Sequence, residues 1–173
     1  QGLAVLVEAD GQRLLYDTGP PFGPNTDAFE KILWPYFRSQ GNSTLKALVV
    51  SHNDADHAGG VASLAERMNV DHIYAGDPSG LAQRLEPQAW SIKSCNVDRE
   101  THAIGVDGRF NFSVGGAAAR GNDASCVMLV EFPELQMLLP GDISDEREAN
   151  LLIPQASSAS PLRLLLIPHH GSR

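Results

Sequence analysis

Four metal-ligand side chains lie within the stretch Ser51-His52-Asn53-Asp54-Ala55-Asp56-His57-Ala58-Gly59-Gly60, directly after an apolar run of strand length. In an extended backbone alternate residues project from one side, so His52, Asp54 and Asp56 lie together, and His57 then turns with the chain into a helix. Such a loop can hold two metal ions, one bound by the alternate residues and the other bound by the Asp56-His57 corner. The alternative is a solvated acidic loop that caps a helix, but side chains crowded in this way repel or desolvate one another without a cation.

Three further apolar runs also end in candidate ligands, which are Asp17, Asp142 and the pair His169-His170. If these runs are strands of compatible direction, the clusters converge at one edge, where ligands bind in open α/β sheets. Each cluster alone is weak evidence for a functional site. Asp17 could equally be a turn residue or a residue that orients the 52–57 loop by hydrogen bonds. His72 and His102 lie outside these clusters and are expected to be ordinary histidines.

The order of predicted elements favours two packed sheets flanked by helices, an α/β sandwich. Hairpins are expected around Asp10-Gly11, around 107–108 and around 133–134. Strands are expected over 45–50, 72–75 and 162–167. Helices are expected from a cap at 26–27 to about 38, where Pro35 would kink or shorten the helix, and over 60–68, 81–85 and 144–153.

The chain carries 13 Lys+Arg against 21 Asp+Glu, a formal charge of −8. This balance argues against a domain that holds nucleic acid by bulk electrostatics. No apolar run approaches the roughly 18 residues of a bilayer-spanning helix. Apolar runs lie at both ends of the sequence, so we expect residues 1–173 to form a single domain that is truncated at both ends.

Cys95 and Cys126 are the two cysteines of the chain and form no CxxC pattern. That is too few for a disulfide scaffold and the wrong spacing for a zinc ribbon. We expect buried free thiols, with a single disulfide as the alternative in an oxidising compartment.

The pattern Ser-His-x-Asp-x-Asp-His-x-Gly-Gly, with Asp-Thr-Gly before it and Gly-Asp and His-His-Gly-Ser after it, resembles the metallo-β-lactamase superfamily. More narrowly it is similar to the metallo-β-lactamase-like domain of ComEC-type DNA internalization-related competence proteins, in which the second ligand of the first motif is Asp, here Asp54. The resemblance spans essentially the whole chain. It implies a metallo-β-lactamase-like αββα sandwich.

The resemblance also implies a ligand set for two divalent metal ions. His52 and Asp54 would hold the first, Asp56 and His57 the second, and Asp142 would bridge them. One of His169 and His170 would complete the second site and the other would face the substrate. Asp56 and Asp142, with these two histidines, would be the catalytic residues.

The position that often supplies a third histidine to the first metal falls in 122–125, where this chain has none. Asn122, Asp123 or water would then complete the first site, and Ser125 would lie around it with Asp17. Replacing imidazole by Asp54 enriches the set in hard oxygen ligands, which favours Mn²⁺ over Zn²⁺.

Two divalent ions about 3.5 to 4 Å apart suit phosphodiester hydrolysis. The resemblance implies a deoxyribonuclease that degrades the DNA strand that is not imported, with single-stranded DNA as substrate and no nucleotide cofactor. Its partner would be the rest of a polytopic membrane channel protein, in the inner membrane, with this domain on the periplasmic side. A small-molecule metallo-hydrolase of the same fold and a non-catalytic DNA-guiding module are the alternatives.

Overall fold

The computed structural model describes residues 2–86, 90–113, 121–151 and 162–168 and packs two five-stranded sheets face to face. The strands of the first sheet are, in spatial order, β1 (Val5–Ala9), β2 (Gln12–Tyr16), β5 (Thr44–Val50), β6 (Asn69–Ala75) and β7 (Ile92–Ser94). Those of the second are β12 (Leu162–Leu165), β11 (Leu135–Leu139), β10 (Val127–Phe132), β9 (Gly108–Ser113) and β8 (His102–Ile104). A short ribbon pairs β3 (Pro21–Gly23) with β4 (Thr26–Asp27).

All three predicted hairpins are confirmed. β1 and β2 pair antiparallel around Asp10 and Gly11, which both have positive φ as a tight hairpin turn requires. The pairs β8 with β9 and β10 with β11 are also antiparallel. In contrast β2, β5, β6 and β7 run parallel, as does β12 beside β11.

The first sheet is buried on both faces, which explains why β5 reads as an almost unbroken apolar run. Leu14 and Tyr16 face the second sheet, whereas Leu15, between them, faces the helices. The helical segments of this part of the chain are a π-helical turn (Phe29–Leu33), α1 (Trp34–Ser39), α2 (Ala55–Ala58), α3 (Val61–Ala65) and α4 (Pro78–Arg84). Apolar side chains of the π-helical turn, α1, α3 and α4 form one core cluster with this face of the sheet.

The helix expected from 26–27 begins later than predicted, because Thr26–Asp27 forms β4. Asp27 still caps the helical segment, since its carboxylate accepts a hydrogen bond from the Glu30 backbone N–H at 2.8 Å. Pro35 lies in the first turn of α1, where a missing N–H costs little. The proline therefore marks the junction between the π-helical turn and α1.

Two other predicted helices are shorter in the structure. α3 ends at Ala65 because the chain turns through 66–68 toward β6, although Met68 keeps its buried position. α5 (Asp145–Ala149) starts as expected, with the Ser144 side chain accepting from the Arg147 N–H, and ends at the C-cap Asn150. The predicted end of this helix, from 152 on, lies outside the described residues.

The expectation of free thiols is wrong, because Cys95 and Cys126 form a disulfide. Cys95 follows β7 of the first sheet and Cys126 precedes β10 of the second, and both are buried. Packing of the two sheets brings these ends together, with Cα atoms 5.6 Å apart. The spacing of the two residues in sequence carries no trace of this contact.

None of the helices in the described ranges has the length and apolar character needed to cross a membrane. The strand ends matter more for function. β2 ends at Tyr16 before Asp17, β5 ends at Val50 before Ser51 and His52, and β11 ends shortly before Asp142. These three ends meet at one edge of the sandwich.

Candidate metal centre

The sandwich edge brings His52, His57 and Asp142 together, with one ligand atom from each lying within 4.8 Å of the others. The imidazole rings of His52 and His57 are 4.2 Å apart between centroids. Three of the four polar clusters named from the sequence thus meet at this edge. The fourth, His169 and His170, lies outside the described residues.

Asp17 is the buried anion on which this arrangement rests. Its carboxylate accepts hydrogen bonds from the Ser51 N–H at 2.6 Å, the Ser51 hydroxyl at 2.7 Å and His57 Nδ1 at 2.7 Å. Burial raises the pKa of Asp17 above its ordinary value, although the bonds from His57 and Ser51 act in the opposite direction. Asp17 also has a φ of +60°, which a non-glycine residue adopts only where the surroundings enforce it.

The bond to Asp17 decides which nitrogen of His57 can bind a metal. Nδ1–H donates to Asp17, so a neutral His57 carries its lone pair on Nε2, which lies 3.5 Å from Asp142 Oδ2 and 3.9 Å from Asp56 Oδ2. Burial lowers the pKa of His57, but the hydrogen bond and charge of Asp17 outweigh it and raise the pKa above the ordinary value. A carboxylate behind an imidazole is the arrangement that orients metal-binding histidines.

His52 presents its Nε2 in the same way. The Ser51 hydroxyl donates to Asp17, so it accepts from His52 Nδ1–H at 2.9 Å. Nε2 of His52 is buried without a hydrogen-bond partner among the described residues, and Asp54 Oδ2 lies 3.6 Å away. Burial and the neighbouring His57 lower the pKa of His52, which favours a neutral imidazole with a lone pair to donate.

The three carboxylates of the site differ in how much of each side chain is exposed to solvent. The side chain of Asp142 is 12% exposed, that of Asp56 37% and that of Asp54 62%. Buried imidazole nitrogens beside carboxylate oxygens are ligands that suit divalent transition metals. The residues present therefore fit the metal ions that the fold implies.

The segment expected to complete the first site, 121–126, contributes contacts of a different kind. Asp123 accepts a hydrogen bond from the Ser144 N–H at 2.8 Å, and Ser125 Oγ lies 3.4 Å from the Asp142 N–H. Ser125 Oγ also donates to the backbone carbonyl of Asn122 at 2.6 Å. The segment thus supports the backbone around Asp142 and the start of α5.

Sequence reasoning missed the roles of Ser51 and Thr18, although both lie inside the quoted motifs. Thr18 donates to the His57 carbonyl through both N–H and Oγ1, at 2.7 and 3.0 Å, and its Oγ1 accepts from the Gly60 N–H. These bonds fasten α2 to the turn after β2. A hydroxyl residue directly next to Asp17 and another directly next to His52 were the available signal.

A cavity of about 350 Å³ opens beside His52 and Asp54, with Gly76, Asp77 and Ala124 among its walls. Asn53 reaches across to the Asp77 carboxylate at 2.8 Å, and Arg84 donates to the backbone carbonyl of Asn53. The cavity lies next to the His52 side of the site.

A family model described as the metallo-beta-lactamase superfamily matches residues 1–173. The chain belongs to the metallo-β-lactamase superfamily. Its fold is therefore the predicted metallo-β-lactamase-like αββα sandwich.

The chain is similar over its whole length to curated proteins with competence-related names. It is 30% identical over 173 residues to Recombination protein 2 of Haemophilus influenzae, covering 100% of this chain and 20% of the relative. It is 30% identical over 176 residues to Competence protein ComA of Neisseria gonorrhoeae, covering 99% and 23%. The resemblance to ComEC-type competence proteins is confirmed, and the chain spans about a fifth to a quarter of these relatives.

Solved structures share the fold at low identity. A metallo-β-lactamase of Cronobacter sakazakii with a HARLDQ motif superposes with a TM-score of 0.58 at 13% identity, covering 82% of this chain and 53% of that one. The subclass B3 metallo-β-lactamase MEM-A1, from a soil metagenome library, gives 0.51 at 19% identity, with 80% and 56% covered. At these identities the likeness concerns the fold alone.

Proposed function

We propose that this domain is a metal-dependent phosphodiester hydrolase that cleaves DNA. The observation that carries the proposal is the meeting of His52, His57 and Asp142 ligand atoms within 4.8 Å at the edge of an open cavity. His52 and Asp54 would hold one divalent ion and Asp56 and His57 the other, with Asp142 as a ligand shared by both. One of His169 and His170 would complete the second site, and the other would face the substrate.

Divalent ions at this site would supply an acidified water and neutralise the charge of a phosphodiester. The chain's own residues orient the ligands and supply negative charge for such ions. Asp17 and Ser51 hold both imidazoles with Nε2 turned inward. Asp142, mostly buried, brings a negative charge to the point between them. The open cavity next to His52 leaves room for a substrate strand.

DNA as substrate is supported by the names of the relatives, among them a recombination protein and a competence protein. The charge of −8 supports a role for the metal ions in binding as well, because the protein alone repels a polyanion. In the same role the domain degrades the strand that is not imported, as part of a polytopic membrane protein whose channel takes up the other strand.

Manganese is the metal we favour. Asp54 and Asp56 add hard oxygen ligands to two imidazoles, and oxygen-rich sets shift preference from zinc toward manganese. The periplasmic side of the inner membrane is the location we favour, because the disulfide between Cys95 and Cys126 forms and persists in oxidising compartments.

A cleavage assay with single-stranded DNA tests the proposal. The protein is stripped with chelator, reloaded with Mn²⁺, Zn²⁺ or Mg²⁺, and incubated in parallel with DNA and with small phosphoesters, thioesters and β-lactams. We expect DNA cleavage with Mn²⁺ and none after chelation. Turnover of small esters alone would favour the small-molecule hydrolase, and DNA binding without any turnover would favour the guiding module.

A further inference from the structure

The disulfide lies one hydrogen bond away from the metal centre. Cys126 donates its backbone N–H to the Ser51 carbonyl at 2.9 Å, and its own carbonyl accepts from the Tyr16 hydroxyl at 2.7 Å. Cys95 donates its N–H to the Ala75 carbonyl at 3.2 Å. Through these hydrogen bonds the disulfide connects Ala75, at the end of β6, to Ser51, the residue that orients His52.

Asn96, the next residue, joins two walls of the cavity beside His52. Its amide nitrogen donates to the carbonyl of Ala124 at 2.6 Å and contacts that of Gly76 at 3.3 Å. Its amide oxygen accepts from Arg147 of α5 at 3.3 Å. Gly76 and Ala124 both line the cavity, so this one side chain sets the spacing between its walls.

The two cavity walls are in close contact at Gly76, where there is no room for a side chain. A Cβ built there would lie 2.1 Å from the Ala124 carbonyl oxygen and 2.3 Å from that of Ser51. Two carbonyl oxygens that converge on one point repel each other unless each finds a donor. The donors are the Asn96 amide for Ala124 and the Cys126 N–H for Ser51.

We propose that Cys95, Asn96 and Cys126 form a clamp that positions Ser51 and, through Ser51, the imidazole of His52. The clamp acts mainly on the His52 half of the metal centre and on the cavity walls, because His57 is held directly by Asp17 and lies farther, 3.3 Å, from the Ser51 hydroxyl. These three are positioning residues. The inference rests on the proposed function for its substrate arm, whereas its metal-binding arm stands without it.

The variant Asn96→Asp is the sharpest test, because it keeps the shape of the side chain and replaces the donor amide by an acceptor. The matched control is Asn69→Asp at the exposed start of β6. Metal affinity is measured by titration calorimetry with Mn²⁺, and metal geometry by the visible spectrum of the Co²⁺-loaded protein. Mutation of a residue that supports a metal ligand typically weakens metal binding by about 10- to 100-fold. We expect a loss near the lower end of this range, because Asn96 does not contact a ligand directly.

The expected result for Asn96→Asp is about tenfold weaker binding at one of two sites, a changed Co²⁺ spectrum and a higher KM for DNA. The Asn69→Asp control should match the wild type in all three. The paired variant Cys95→Ala/Cys126→Ala should weaken the same site. Asn96→Ser, which removes the amide without adding charge, decides the matter if Asn96→Asp does not fold.

Wild-type affinity and an unchanged Co²⁺ spectrum in a folded Asn96 variant would overturn the clamp. So would a lower unfolding temperature with unchanged metal binding, because that outcome assigns the contacts to stability alone. If the wild-type protein binds metal but leaves DNA intact, the proposed function fails, and the calorimetric and spectral readouts still decide on the clamp.

Discussion

The two histidines of the metal centre are held in different ways. His57 donates Nδ1–H to the buried carboxylate of Asp17, and Thr18 fixes its backbone carbonyl. His52 donates to the neutral hydroxyl of Ser51 and borders an open cavity. Hydrogen bonds to an ionised group are about twice as strong as neutral ones. The His57 half is therefore fixed by the fold, whereas the His52 half depends on the walls around it.

The neighbouring carboxylates follow the same division. Asp142, near His57 Nε2, is 12% exposed, whereas Asp54, near His52 Nε2, is 62% exposed. A buried carboxylate loses less freedom when it binds an ion than an exposed one does. The comparison teaches that the ligand atoms of one half are buried and fixed, whereas those of the other half are open to solvent, so we expect the first half to bind a metal ion more tightly.

The largest expected effect comes from removing Asp142, the ligand that we propose the two halves share. Asp142→Ala should abolish metal-dependent DNA cleavage in the assay described above. The free energy of unfolding of the metal-free protein should change little, because Asp142 follows the end of β11 and its near partner His57 stays held by Asp17. Urea unfolding in the presence of chelator measures it. Asp56→Ala should behave in the same way.

The matched control is Asp145→Ala, three residues further along the chain and exposed in the first turn of α5. It should keep near wild-type cleavage. Cleavage by Asp142→Ala or Asp56→Ala at near wild-type rate would remove the two-metal interpretation.

Asp17→Asn should weaken the His57 half more than the His52 half, because Asp17 bonds His57 directly and His52 only through Ser51. An amide keeps the shape of Asp17 but can turn its NH₂ toward His57 Nδ1, which disfavours the tautomer with Nε2 as ligand. We expect about 10- to 100-fold weaker binding of one Mn²⁺ ion by calorimetry, since losing such a supporting carboxylate has that effect in other metal sites. Equal weakening of both ions would show that the halves are coupled through Asp17.

The wild-type protein itself should bind two Mn²⁺ ions unequally. In the proposed ligand set the first site, with His52, Asp54 and the shared Asp142, would have fewer ligands than the second and should empty first on dialysis. Purified protein should be partly metal-free and need millimolar-scale Mn²⁺ for cleavage. Two equally tight sites in a calorimetric titration would show that the ligand set is misassigned, most simply by overlooking Asp123 or Ser125.

Asp54→His is the smallest change and should sharpen the comparison. An imidazole in this place makes the His52 half softer and shifts its preference from Mn²⁺ toward Zn²⁺. We expect a severalfold change in the ratio of the two affinities, measured by competition with a chromophoric chelator, with no change at the His57 half. Because Asp54 is exposed, folding should be unaffected.

Much of the fold was predictable because its signals are local. Hairpin turns, the apolar run of β5 and the Asp27 cap are each written within a few neighbouring residues. Helix ends were predicted less well. α3 ends where the chain turns toward β6, and α5 ends at the C-cap Asn150, in both cases before the helical spacing of apolar residues ends. The gathering of Asp17, the 52–57 loop and Asp142 followed from placing strand ends at one edge.

The sequence by itself determined the superfamily, the sandwich and the residue types that can hold a metal, because motifs and periodicity survive in one dimension. Only the tertiary structure decided how the imidazoles are turned, which hydroxyls hold them and that Cys95 meets Cys126. Those features depend on contacts between residues such as Asp17 and Ser51, far apart in the chain. Parallel pairing of β2 with β5 brings Asp17 to Ser51, and packing of the two sheets brings Cys95 to Cys126; no local pattern encodes either contact.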